Sequence, residues 1–240
     1  MSTHSVPDLS PELAKRIRLV RRDVGSLLFH FTRKPSEPFV VVATPNGGSR
    51  SWPSSASAVL QKILHEARLT GTGTWSSGDP CVCFTDAPIQ ECNAIFSLNA
   101  IASSEQLRPR YEPYGIAVSK EWLFSQGGRP VIYDHPDALD RLPDSERYRF
   151  VPYDPTKNID FTWEREWRVK TDHLVLDPRR TYAVVPSSDE AFQIVYDFAD
   201  LETDWNEDGP AGTYHSPRWL AVSLDLFGYD YATNGNLATG

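Results

Sequence analysis

The sequence predicts an α+β fold in one domain. Stretches with strand-like composition outnumber stretches with helical spacing, and the two kinds do not alternate regularly, which disfavours a doubly wound parallel sheet. No internal repeat and no linker-like segment divides the 240 residues, and a hydrophobic content of 40% is ample for a core. We expect residues 23–228 to form one domain of mixed or antiparallel sheets with flanking helices, between an N-terminal helical segment (1–22) and a flexible tail (229–240).

Charge and cysteine content narrow the function classes. The net charge of -8 disfavours the broad basic surface of non-specific nucleic-acid binders, although a local basic groove remains compatible with it. The N-terminus lacks an apolar signal core, and no run approaches the ~18 apolar residues of a membrane span. We therefore expect a cytoplasmic protein without membrane contact. The three cysteines should be reduced, and the scattered histidines do not supply a zinc site, so no metal is expected.

The first strand carries the first candidate site residue. Pro11–Arg22 has helical spacing behind a candidate N-cap, Ser10, and predicts a basic amphipathic helix. Val24–Thr32 then gives a short apolar run that predicts a buried strand with His30 inside it. A histidine in such a strand is by default a core side chain with a satisfied hydrogen bond, so its pattern alone leaves the role open.

The middle of the chain predicts further strands and short helices. Apolar residues recur at helical spacing over Ser57–Leu69 and Ile89–Leu98, which predicts two helices. Between them lies the glycine-rich loop Gly71–Asp79, whose Trp75 is a candidate for contact with a ligand. Strands are predicted at Phe39–Ala43, Cys81–Thr85, Tyr114–Ser119 and Val131–Tyr133, with a helical turn at Lys120–Phe124.

The stretch Ile159–Lys170 contains two closely spaced glutamates, Glu164 and Glu166. Its aromatic and β-branched residues and its alternation of charge and bulk favour a strand over Trp163–Val169. On a strand, a spacing of two places both carboxylates and Arg168 on one face, which suits the stabilisation of a developing positive charge. The alternative is a surface ladder of cross-strand ion pairs.

Four segments taken in order resemble a known family. They are the strand Leu27–Thr32, the helix from Ala58 to Leu69, the strand Val82–Pro88, and Glu164–Val169. Their order resembles the ADP-ribosyltransferase-like toxins of the DarT kind and a group of phage-defence proteins of the AbiGi kind. In DarT-like enzymes a hydrophobic-His-hydrophobic-Thr strand opens the NAD pocket, and a late glutamate on a strand is catalytic. The resemblance covers roughly Leu27–Val169.

The resemblance implies a fold and a set of site residues. It implies an ADP-ribosyltransferase-like domain, with NAD as substrate, His30 in the place of the NAD-contacting histidine and Glu166 in the place of the catalytic glutamate. Glu164 gives the Glu-x-Glu spacing of arginine-targeting transferases. The NAD-contacting set expected from the resemblance and from the chemistry is His30, Phe31, Thr32, Tyr114, Tyr133 and Arg168. DarT-like proteins have an arginine and a serine where this chain has Asp86 and Ala87, so Arg33, Arg129 or Arg168 would have to contact the phosphates.

The chemistry leaves three hypotheses. Breaking the bond between nicotinamide and ribose leaves an oxocarbenium-like ribose, which a nearby carboxylate stabilises in the transition state. The first hypothesis is transfer of ADP-ribose to a macromolecule, with DNA or RNA favoured by the resemblance and protein kept open, in a toxin-antitoxin or phage-defence role. The second is an NAD glycohydrolase using the same pocket. The third is a non-catalytic antitoxin or interaction protein of the same fold.

Overall fold

The computed structural model describes Ser10, Phe96 and the residues 25–43, 48–92 and 111–229. The helix expected over Pro11–Arg22, most of the helix expected over Ile89–Leu98, and the tail beyond Tyr229 lie outside these residues. Within the described part, no helix is long and apolar enough to cross a membrane.

The described chain is a mixed α+β domain with many short strands and few helices. The strands are β1 (Leu27–Phe31), β2 (Phe39–Ala43), β3 (Ser49–Pro53), β4 (Arg68–Thr70), β5 (Thr72–Gly73), β6 (Pro80–Thr85), β7 (Gly115–Ser119), β8 (Arg129–Pro130), β9 (Ile132–Asp134), β10 (Phe150–Pro152), β11 (Glu166–Lys170), β12 (His173–Val175), β13 (Thr181–Val185), β14 (Ala199–Asn206), β15 (Gly209–Pro217) and β16 (Leu220–Ser223). The helices are α1 (Ala56–Glu66), α2 (Lys120–Ser125) and α3 (Ser188–Asp197). The predicted α+β class and the strands at β1, β2, β6, β7 and β9 are confirmed.

One eight-stranded sheet organises the domain. Its order is β16-β13-β7-β1-β6-β11-β8, with β5 paired to β6. Strands β13 and β16 run parallel, whereas the other pairs in this sheet are antiparallel, so the sheet is mixed. Four further pairs form small two-stranded sheets, β2-β3, β4-β12, β9-β10 and β14-β15. The sheet therefore places the histidine strand β1 and the glutamate strand β11 on either side of β6.

The two faces of the sheet are covered differently. Leu28, Val82 and Val169 lie on one face, in a large core cluster that also contains buried side chains of the three helices. Phe29 and Phe31 belong to a second, smaller cluster on the other face. That second face is covered over β13, β7 and β1, and it opens into a groove over β6 and β11.

Helix α1 follows its sequence signals closely. Ser55 is its N-cap, and the hydroxyl of Ser55 accepts a hydrogen bond from the backbone N–H of Ala58 at 3.0 Å. The predicted helix was too long, because Ala67 adopts a left-handed conformation with φ 49° that ends it at Glu66. Leu69 keeps its place in the core, but as part of β4 rather than of the helix.

Candidate functional site

A gap in the main sheet creates the candidate site. Strands β1 and β7 pair over five positions, whereas β1 and β6 pair only at Phe29 and Thr85. Beyond that position, at His30 and Phe31, strand β1 is not paired with β6. The ring of His30 spans the gap instead, because its Nδ1 lies 2.8 Å from the carbonyl oxygen of Cys83. The ring thus joins two strands that the backbone ladder does not.

A cavity of about 80 Å³ lies at this gap and is the closed end of a groove of about 800 Å³. The side chains shared by the cavity and the groove are His30, Phe31, Cys83, Tyr111, Glu164 and Glu166. Trp163 lines only the closed end, and Trp75 and Arg33 line only the open groove. The volume of the groove falls within the ~300–1,000 Å³ that ligand pockets usually occupy.

Glu166 begins β11 and enters the site with a fixed carboxylate. It lies opposite Thr85 on β6, and directly opposed residues of antiparallel strands share a face. The Glu166 side chain is only 12% exposed, and both of its oxygens accept hydrogen bonds from Arg168, from Nε at 2.8 Å and from Nη2 at 3.0 Å. The phenol oxygen of Tyr133 accepts a hydrogen bond from the backbone N–H of Glu166 at 3.1 Å. The first residue of β11 is therefore held through its main chain and its side chain.

Arg168 holds Glu166 rather than offering itself to a ligand. Its Nη1 donates to the carbonyl oxygens of Tyr148 at 2.7 Å and Phe150 at 3.2 Å, in addition to the two bonds with Glu166. The pair with Glu166 raises the pKa of Arg168 against the effect of burial, which acts the other way. Arg168 lines the groove, but its guanidinium is buried and already bonded along both edges, so the phosphate contact predicted for it stays a prediction.

The strand predicted over Trp163–Val169 is wrong in its first part. Thr162–Glu164 forms a 3₁₀ turn, and Arg165 has a left-handed conformation with φ 44°, so the strand begins only at Glu166. The turn is fixed at both ends. The carboxylate of Asp160 accepts bonds from the N–H and hydroxyl of Thr162, and the carbonyl oxygen of Arg165 accepts from the N–H of Asp86 at 3.1 Å.

Glu164 nevertheless reaches the cavity. Its side chain is 4% exposed and lines both the closed end and the groove. The hydroxyl of Tyr111 donates a hydrogen bond to Glu164 Oε2 at 3.3 Å. The two glutamates therefore share a site, but through a turn followed by a strand and not through the face of a single strand.

His30 is neutral and has a fixed tautomer. A carbonyl oxygen can only accept, so the contact with Cys83 places the proton on Nδ1 and leaves Nε2 as an acceptor. Burial lowers the pKa of His30, and the bond to the Cys83 carbonyl offsets only part of that effect. Because His30 is also among the residues that line the cavity, the default interpretation of a satisfied core histidine and the interpretation of a ligand contact both apply.

The other predicted contact residues have different outcomes. Phe31 lines the cavity and stacks on Phe29 at 5.8 Å between ring centroids. Thr32 lines the groove, but its buried hydroxyl faces the backbone carbonyl oxygens of Ala56 and Tyr114, each at 3.0 Å. Tyr133 lies behind the backbone of Glu166, and burial first, then the nearby glutamates, raise its pKa to about 12.

Tyr114 does not belong to the site. Its side chain packs against the large core cluster and hydrogen-bonds to Glu190 of α3. The predicted stacking of Tyr114 on nicotinamide is therefore inconsistent with the structure. Tyr111, three residues earlier, lines the cavity instead, and it was missed because its neighbours carry neither a strand nor a helix pattern. No sequence signal indicates that Tyr111, rather than Tyr114, lines the cavity.

The cysteines are free thiols, as predicted. Cys81 and Cys92 are buried, and Cys83 is half-buried beside Glu166. Burial raises the pKa of all three, to about 11 for Cys81 and about 12 for Cys92, and the negative charge of Glu166 adds to the rise at Cys83. Across residues 25–43, 48–92 and 111–229, no group of three or more His, Cys, Asp or Glu side chains is placed to hold a metal ion.

Comparison with known proteins gives no assignment. No protein-family model, no curated protein and no solved structure matches the chain. The resemblance to ADP-ribosyltransferase-like toxins therefore stays a prediction.

Proposed function

We propose that the chain is an NAD-dependent mono-ADP-ribosyltransferase with an ADP-ribosyltransferase-like fold. One observation carries the proposal. The gap between β1 and β6 brings His30 and Glu166, which are far apart in the sequence, to one cavity together with Tyr111 and Glu164. These residue types suit cleavage of a glycosidic bond to a cationic leaving group, and no metal is needed for that chemistry.

The reaction divides into bond cleavage and transfer. The bond between C1′ of the ribose and the nicotinamide nitrogen breaks, and nicotinamide leaves as a neutral molecule with the bonding electron pair. The ribose then carries positive charge, which Glu166 stabilises. An acceptor oxygen or nitrogen attacks C1′ and loses a proton, which a carboxylate of the site receives. The products are nicotinamide and an ADP-ribosylated acceptor.

The pairing with Arg168 fits this role for Glu166. A carboxylate offers about four lone-pair sites, and the arginine uses one on each oxygen, so acceptor capacity remains for a substrate hydroxyl. The arginine also fixes the direction of the carboxylate before substrate binds, which removes the need to reorganise it in the transition state. Glu164, on its turn, is the better candidate for the carboxylate that receives the acceptor proton.

Arg33 is the cation that fits the NAD phosphates best. Of the three arginines considered from the sequence, Arg168 is bonded to Glu166, and Arg129 lies over the ring of Phe124 while donating to the carbonyl oxygens of Phe124 and Gly128. Arg33 is exposed, lines the groove three residues after His30, and has no ion pair with any described residue. Guanidinium groups bind phosphate oxygens in a bidentate manner.

The acceptor is a macromolecule in this proposal. The DarT-like resemblance favours DNA or RNA and places the activity in a toxin-antitoxin or phage-defence setting with a neighbouring antitoxin protein. The groove is open to solvent beyond Trp75, which is 64% exposed, so a large acceptor can approach the closed end.

Release of nicotinamide from NAD tests the cleavage step. We expect turnover by the purified protein and loss of turnover, by at least about a hundredfold, in Glu166→Gln, since removal of one electrostatic stabiliser typically costs ~10²–10³ in rate. Tyr111→Phe should lower turnover less, and Tyr114→Phe is the matched control because Tyr114 lies outside the cavity. Turnover that is unchanged in a folded Glu166→Gln variant would remove Glu166 from the mechanism.

A further inference from the structure

A second groove lies on α1 and β3, apart from the NAD cavity. It has a volume of about 700 Å³ and shares no lining residue with the cavity or its groove. We name it the Trp52 groove. Its floor includes Trp52, His65 and Phe198. Nothing in the proposed cleavage chemistry uses these residues.

Three aromatic rings form a row along the floor of the Trp52 groove. The rings of Trp52 and His65 are stacked, with centroids 5.8 Å apart and planes at 17°, and the rings of His65 and Phe198 lie 4.7 Å apart. Burial first, and then two nearby arginines, lower the pKa of His65, so its ring is a neutral aromatic surface at pH 7. Trp52 is half-buried and His65 is exposed, so part of each ring remains open to a ligand.

Arg50 lines the Trp52 groove, and Arg218 lies next to Phe198 outside the lining, with its guanidinium 5.9 Å from the ring centroid of Trp219. Arg50 precedes Trp52 by two residues on β3, so the two side chains share a face, and their partners on β2 are the buried Val42 and Val40. The backbone N–H of Arg218 donates to the carbonyl oxygen of Phe198 at 3.2 Å. Neither arginine forms an ion pair with any residue that the structure describes. The positive charges of both arginines, after burial, help to lower the pKa of His65.

The charge around the Trp52 groove differs from that of the protein as a whole. The chain carries a net charge of -8, yet the lining of this groove pairs one guanidinium group, Arg50, with one carboxylate, Asp197, and Arg218 lies close by. The Asp197 carboxylate already accepts a hydrogen bond from the side chain of Gln193 at 2.5 Å. Ser57 and Gln61 add neutral polar groups to the lining. The groove therefore offers planar apolar surface beside one lining cation, with a second cation nearby.

We propose that the Trp52 groove binds nucleoside phosphates. A base stacks on an aromatic platform regardless of its identity, and arginine binds phosphate oxygens, so a row of rings with Arg50 in its lining and Arg218 nearby matches a base and its neighbouring phosphates. This chemistry is supplied by a single-stranded nucleic acid or by a free nucleotide. The proposal does not depend on the NAD chemistry of the other site.

Fluorescence anisotropy with a fluorescein-labelled single-stranded oligodeoxynucleotide tests the proposal, with AMP as a competitor that separates the two sources of ligand. Displacement by AMP would identify a nucleotide site, and binding that AMP does not displace would identify a strand site. Trp52→Leu should weaken binding at least about fivefold, which is the low end of the energy of one base–aromatic stack. Circular dichroism and thermal unfolding would confirm that the variant is folded.

The dependence of binding on salt tests the arginines separately. Loss of two phosphate contacts to a single strand should reduce the slope of log K against log salt by about 1.4 in Arg50→Ala/Arg218→Ala. Arg141→Ala/Arg179→Ala is the matched control, because both arginines are exposed, have no ion pair with a described residue, do not line the groove and, unlike Arg50 and Arg218, do not influence the pKa of His65. Absence of binding by both probes, or equal losses in the two double variants, would overturn the proposal.

Discussion

Replacing Arg168 by methionine is expected to unfold the protein at a markedly lower temperature. The substitution keeps the length and the apolar packing of the side chain but removes every donor. It leaves the Glu166 carboxylate, which is 12% exposed, without its two charged hydrogen bonds. It also removes the donor shared by the carbonyl oxygens of Tyr148 and Phe150.

The size of this effect follows from burial. Removing one partner of a buried ion pair costs roughly 3–5 kcal/mol, because the other charge is left uncompensated. A domain of this size loses about 2–4 °C of melting temperature per kcal/mol, so the expected fall is roughly 6–20 °C. Differential scanning calorimetry at pH 7 measures it. Arg180→Met is the matched control, since the pair of Arg180 with Asp177 is largely exposed and contributes at most ~1 kcal/mol.

A double variant separates the ion pair from packing. In Glu166→Gln/Arg168→Met no unpaired charge remains, so the loss of stability should be smaller than in Arg168→Met alone. If Arg168→Met melted within the range of Arg180→Met, or if the double variant were the less stable of the two Arg168 variants, the role of Arg168 as the fixed partner of Glu166 would be wrong.

Three further predictions concern the strands that frame the cavity. The pKa of His30 in the folded state lies below its ordinary value of 6.5, so the free energy of unfolding should fall as pH drops below about 6.5, by at most about 1.4 kcal/mol per pH unit. Urea titrations of His30→Gln should lack this part of the pH dependence. The three thiols have raised pKa values, so a disulfide reagent at neutral pH should react slowly with the native protein and rapidly with all three thiols in guanidinium. Fast labelling of the folded protein would contradict this prediction. A Cβ at Gly115 would lie 2.3 Å from the carbonyl oxygen of His30, so Gly115→Ala should lower the free energy of unfolding by about 1–3 kcal/mol in a denaturation assay. Gly212 has open space around it, so Gly212→Ala should have almost no effect in the same assay.

The sequence was sufficient to predict the α+β class and two of the site residues, His30 and Glu166, which lie on the strands that flank β6. The apolar run around His30 and the alternation at Trp167 and Val169 are local patterns, and local patterns determine which residues form strands. Both residues that the family resemblance singled out, His30 and Glu166, line the same cavity in the structure.

The gap between β1 and β6 was beyond sequence reasoning. Strand pairing is a long-range property, and nothing in Leu27–Phe31 or Pro80–Thr85 shows that the two strands pair at a single position. The choice of Tyr111 over Tyr114 has the same origin, because it depends on where the chain re-enters the sheet at Gly115. Tertiary contacts, rather than local propensity, decide both features.

The position of Glu164 was missed for a local reason that a closer look at turn chemistry could have found. Asp160 followed two residues later by Thr162 is an Asx-turn signal, and it competes with the strand pattern that begins at Trp163. The turn is favoured because the carbonyl oxygens of Glu164 and Arg165 accept hydrogen bonds from the hydroxyl of Thr85 and the backbone N–H of Asp86. A strand predicted next to an Asx-turn signal should therefore be made shorter at the end that adjoins the turn.

The most direct test of the proposed transferase is incubation of the purified protein with NAD labelled in its adenylate phosphate. Separate reactions contain DNA, RNA or lysate protein, and each is run beside Glu166→Gln. Our account predicts label on one of these pools and none with the variant. Intact NAD in every reaction with folded wild-type protein would contradict the account, and NAD cleavage without label on any pool would show a glycohydrolase in place of a transferase.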